Sequence, residues 1–162
     1  MRASAGLLGA CIAGLAGGTH GMAWGGPLFA AALLGLAIWL VRQDIARRTV
    51  RGKGLTRFIA VALLSGYLWL AVGASVALAA GGLSPGTRGY DAALHAVLIG
   101  FVFSMVFGHA PIIFPAVLHV AVPYHASFYL PLALLHLSLL VRLVGAASGQ
   151  FALASSSLFV PG

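Results

Sequence analysis

The sequence is divided by its charges, and their absence from long runs limits the fold more than any other feature. No Asp, Glu, Lys or Arg occurs in residues 3–41, 58–87, 92–141 or 143–162. Runs of this length are long enough to cross a hydrocarbon core, which takes about 20 apolar residues in a helix. A soluble domain has roughly 25% charged residues, whereas this chain of 162 residues has 7% charged and 61% hydrophobic residues. Too little polar surface remains to cover a water-soluble globule. The expected fold is an all-α integral membrane protein, an antiparallel bundle of 5–6 transmembrane helices in a single domain over 1–162.

The nine cations are also unevenly placed. Arg42, Arg47, Arg48, Arg51, Lys53 and Arg57 share one short loop. By the positive-inside rule this loop, 42–57, faces the cytoplasm, and the host bilayer is the cytoplasmic (inner) membrane. The net charge of +7 therefore reads as a topology signal and not as a nucleic-acid surface. Turn-rich stretches divide the rest: Gly17-Gly18-Thr19-His20-Gly21, Gly25-Gly26-Pro27, and Gly81 to Gly89. Spans are expected near 3–18, 26–41, 57–80, 91–110 and 124–144, with 146–160 either a short sixth span or a loose end. Asp91 favours the start of the fourth span, and Pro111 and Pro115 are expected to interrupt or kink it. The lone Cys11 can form no internal disulfide.

Six histidines remain, and ionisable groups at membrane depth are usually functional. His20 sits in a glycine-rich turn and reads as a loop residue. At 100° and 1.5 Å per residue, His95 and His109 fall about 40° apart in azimuth and roughly 21 Å apart in height. On the same reckoning His125 and His136 fall about 20° and roughly 16 Å apart. If the two spans are antiparallel, His109 meets His125 at one depth and His95 meets His136 at the other. Two cross-helix imidazole pairs suit haem b, whose apolar ring fits a helix bundle. His95, His109, His125 and His136 are thus the candidate cofactor ligands. Met105, near the histidine face, is a candidate iron or copper ligand. His119 is either an interfacial residue or, if the helix runs through Pro111, a further metal ligand. Gly100, Ser104 and Gly108 repeat every four residues on the opposite side, a small-residue seam for a close helix neighbour. Tyr124 and Tyr129 read as an interfacial anchor and a packing residue.

The segment Asp91-Ala-Ala-Leu-His95-Ala-Val-Leu-Ile-Gly100-Phe-Val-Phe-Ser-Met105-Val-Phe-Gly-His109-Ala-Pro111 resembles the NnrS-like proteins. These are multi-span bacterial membrane proteins described as containing haem and copper, linked to nitric oxide stress and denitrification. Asp44-Ile-Ala-Arg-Arg48 and Tyr67-Leu-Trp69-Leu look like a related set of membrane proteins, so the resemblance covers about residues 40–145. It implies His95 and His109 as cofactor ligands. Such proteins have more spans than this chain, which reads as a fragment or as half of a homo-oligomer. The expected function is electron transfer or a nitric oxide response, with the bilayer and other membrane subunits as partners. The competing expectations are a proton or metal transporter fragment and a structural membrane subunit. No acid pair, activated nucleophile or phosphate loop is present, so any catalysis would be cofactor chemistry.

Overall fold

The computed structural model describes residues 2–119 and 123–148, and every regular element among them is helical. The order is α1 (Arg2–Thr19), α2 (Gly25–Gln43), the single turn α3 (Ala46–Thr49), α4 (Gly54–Ala79), α5 (Arg88–His95), a π-helical turn (Ala96–Val102), α6 (Phe103–Leu118), a 3-10 turn (Ala126–Phe128) and α7 (Tyr129–Ser148). Helix α5, the π turn and α6 form one rod, Arg88–Leu118. Among the described residues, four helices are long and apolar enough to cross a bilayer: α2, α4, this rod and the α7 segment. Helix α1 is apolar but shorter. Most of the expected 146–160 segment lies outside the described residues.

Small residues set the packing. Helices α1 and α2 form a tight hairpin, in which a Cβ on Gly25 would lie 2.1 Å from the backbone nitrogen of Gly18. The turn between them passes through Gly21 at φ +71°. Helix α2 and the rod both lie along α4, and Ala30, Ala77 and Ala93 of the three share one buried cluster. Gly82, at φ +128°, closes α4 and brings its backbone against Gly26. Only a residue without Cβ adopts that conformation readily.

The expected small-residue seam is present. Gly100, Ser104 and Gly108 are all buried. A Cβ on Gly100 would meet Trp69, one on Gly108 would touch Ala62, and one on Gly66 would meet Ser104 and Met105. Helix α7 packs beside this pair. Leu132 joins Phe58 and Ala62 in one cluster, and Leu139 joins Trp69 and Ala96 in another. Phe58 makes edge contacts with Phe128 and Tyr129 at 5.7 and 5.2 Å. Tyr129 is the packing residue expected, while Tyr124 is exposed and stacks edge-on at 6.0 Å on Phe128.

Two expectations need correction. The fourth span does not stop near Ala110: the helix continues through Pro111 and Pro115 to Leu118 and ends where His119 turns left-handed at φ 53°. Membrane-type helices tolerate interior proline when neighbouring groups accommodate the freed carbonyls. The fifth helix does not begin at Tyr124. His125 is extended (φ -131°, ψ 145°) and caps the 3-10 turn before α7 starts at Tyr129.

Candidate functional site

The chain has two carboxylates, Asp44 and Asp91, and each ties two helices together. Asp44 follows α2, accepts the Ala46 backbone N–H at 2.8 Å, and accepts a short hydrogen bond from the Tyr67 hydroxyl of α4. Asp91 lies in the first turn of α5, whose start is capped by the Thr87 hydroxyl accepting the Tyr90 N–H at 3.2 Å. The Arg142 guanidinium of α7 donates to both oxygens of Asp91 at 3.2 Å. A third tie runs between α4 and α7, where the Trp69 indole N–H donates to His136 Nδ1 at 2.9 Å. A buried indole needs such an acceptor.

The hydrogen bonds divide the four candidate rings into two kinds. His95 Nδ1 lies 2.7 Å from the carbonyl oxygen of Asp91 and 3.3 Å from its carboxylate. His109 Nδ1 lies 2.7 Å from the carbonyl oxygen of Met105. Carbonyl and carboxylate oxygens only accept, so Nδ1 carries the proton in both rings and the Nε2 lone pair is free. This is the usual arrangement for an imidazole that binds a metal through Nε2. The other two rings are reversed. His136 accepts from Trp69, and His125 accepts the Ser127 N–H at 3.2 Å through Nδ1. Their neutral form places the proton on Nε2 and leaves no lone pair there. The Nε2 of His136 is buried with no hydrogen-bond partner.

Both expected cross-helix pairs therefore join one ring able to bind metal through Nε2 with one that is not. Among the described residues no histidine is hydrogen-bonded to another, and no group of three or more His, Cys, Asp or Glu is placed to hold a metal. The depth matching also changes. His109 stands nine residues before the end of α6 and His125 lies outside α7, so the face calculated for His125 and His136 on one helix does not apply. The π turn between His95 and His109 rotates one relative to the other by roughly one residue's worth, ~100°, beyond the regular-helix value.

His109 is exposed, in an outward groove of about 430 Å³ lined also by Val102, Met105, Val106, Ile113 and Phe114. The side chain of Met105 reaches toward Gly66 while its carbonyl orients His109. His119 is exposed at the end of α6, and His20 is exposed in the α1–α2 turn. Sequence reasoning passed over Tyr67 and Trp69 as partners of Asp44 and His136. Their polar tips in an otherwise apolar helix were the available signal, because each needs an acceptor inside the bundle.

No curated protein and no solved structure matches the chain. Residues 1–159 match the family described as a domain of unknown function, DUF8744, and the chain belongs to that family.

Proposed function

We propose that this is a multi-span integral membrane protein, with the 42–57 loop on the cytoplasmic side of the cytoplasmic membrane. It binds haem b or copper through His109, with His95 as a second, separate donor. The observation that carries the reading is the state of His109: its Nδ1–H is held by the Met105 carbonyl, and its free Nε2 belongs to a ring standing in an apolar groove. An apolar wall and one neutral imidazole suit the edge of a haem. His95 has the same tautomer, which agrees with the resemblance of 91–111 to NnrS-like proteins. His125 and His136 do not fit as partner ligands while Ser127 and Trp69 hold their Nδ1 atoms. His119 and Met105 remain candidate metal donors beside them. When bound, the cofactor supplies one-electron or nitric oxide chemistry. The chain's own part is to orient the imidazole, through the Met105 carbonyl.

Optical spectra of the detergent-solubilised protein, purified with haem or copper supplied, test this. His109→Ala should remove most of a Soret band or of bound copper, and His136→Ala should leave it in place. Wild-type protein with neither haem nor copper after supplementation overturns the reading. A second reading, a structural subunit of a membrane assembly, is favoured by the three polar ties Asp44–Tyr67, Asp91–Arg142 and Trp69–His136. In that case the histidine substitutions leave activity unchanged and alter only stability.

A further inference from the structure

The cationic loop is a built element, not a loose tether. Asp44 is held by Tyr67 and by the Ala46 N–H, and Ala46 is 1% exposed against the bundle. This fixes the single turn of α3 and gathers four guanidinium groups. Arg42, Arg47, Arg48 and Arg51 line one open cleft of about 700 Å³ around Asp44. All four are exposed. A loop that only set topology would need the positive charge but no common cleft.

Depth shows what the cleft faces. Arg42, in the last turn of α2, is the first charged residue after the run 3–41, and cations flank apolar spans at the bilayer interface. Asp44 follows α2 directly and is tied to Tyr67 on the flank of α4. The arginine cleft therefore lies where α2 leaves its apolar run, at the height of the bilayer interface if the helices cross the membrane. At its rim Ile45 is 69% exposed, an apolar side chain between guanidinium groups. Such a surface suits a molecule that is anionic at one end and apolar at the other.

We infer that this cleft is a binding site for an anionic phospholipid of the cytoplasmic leaflet, most suitably one with two phosphodiester groups. Guanidinium forks bind phosphate oxygens in pairs. Four arginines against one already engaged carboxylate leave an excess of positive charge for a dianionic headgroup, and Ile45 meets the start of an acyl chain. The inference rests on the membrane reading above and is independent of any haem or copper.

Native mass spectrometry of the protein released from nanodiscs tests it. The nanodiscs contain phosphatidylcholine alone, or phosphatidylcholine with phosphatidylglycerol or cardiolipin. Wild-type protein should retain cardiolipin above phosphatidylglycerol, and both above phosphatidylcholine. The pair Arg47→Gln and Arg48→Gln should weaken cardiolipin retention about 30-fold, since each cation at an anionic surface contributes about fivefold. Arg47→Lys with Arg48→Lys keeps the charge and the topology signal and should lose less, because lysine lacks the paired donors. Arg88→Gln, outside the cleft, should leave retention unchanged. Equal retention of all three lipids, or undiminished cardiolipin retention in the glutamine pair, overturns the site. If inorganic pyrophosphate binds the lipid-free protein and displaces cardiolipin at equal concentration, the ligand is a soluble phosphate and the lipid assignment fails. Release of the protein from membranes by alkaline carbonate would instead overturn the membrane reading itself.

Discussion

Helix α4 and helix α7 are both apolar, yet they are used differently. In their most apolar 18-residue stretches, 44% of α4 is buried but only 11% of α7, and 17% of the Arg88–Leu118 rod. Helix α4 is contacted by both α2 and the rod, and it presents glycines and alanines at the contacts. Helix α7 touches the bundle along one edge, through Leu132 and Leu139, while Leu130, Leu134, Leu137, Val141 and Val144 stay exposed. Overall apolarity therefore does not distinguish an interior helix from a peripheral one here. Residue size does, because close approach of apolar helices depends on small side chains and van der Waals packing.

The contrast makes graded predictions. The largest effect is expected at the centre of the α4–rod seam. A Cβ on Gly100 would already lie 2.4 Å from the Trp69 ring, so Gly100→Leu should lower stability by about 3 kcal/mol in detergent unfolding. Retained stability would mean that the rod can move off α4. Tyr67→Phe removes the only described donor from a side chain to Asp44 and should cost about 1 kcal/mol. An unchanged unfolding curve would show the carboxylate to be solvated. Trp69→Phe breaks the bond to His136 and should cost about 0.6 kcal/mol. In a double-mutant cycle with His136→Ala the two losses should not add, because the residues share one bond. Leu137→Ala, on the open side of α7, should stay within about 0.5 kcal/mol of wild type. A larger cost would show that a second copy or another subunit covers that face.

The helices were largely legible because the charges bracket them. Arg42 closes the run that became α2, and Arg57 opens the run that became α4. The seam Gly100, Ser104 and Gly108 was legible from its spacing and lies where that spacing put it. The ends of the rod and of α7 were not. Pro111 and Pro115 signal a break in water-soluble chains, but here the helix continues and stops only at His119. The extended His125 has no marker in Val122-Pro123-Tyr124 that separates it from a helix start. The candidate ligands were identified by residue type, whereas their chemical roles depend on partners remote in sequence. His136 accepts from a tryptophan 67 positions away, and no local pattern reveals which of its nitrogens bears the proton.

The π-helical turn at Ala96–Val102 has a consequence for how this chain is edited or compared with its relatives. A wide turn holds a residue that a regular α-helix would not accommodate, and such insertions are common at functional positions. Removing one residue from Ala-Val-Leu-Ile-Gly-Phe-Val would leave an unbroken, regular helix of nearly the same length. It would leave everything beyond it on nearly the same side, because the wide turn already lags a regular helix by about 100°, the rotation of the residue removed, so Ser104 and Gly108 would still face α4 and His109 would keep its side of the rod. A single-codon deletion there is thus nearly silent for orientation, whereas drawing the same seven residues into a regular α-helix would turn α6 about its axis and exchange its outward-facing and protein-facing sides.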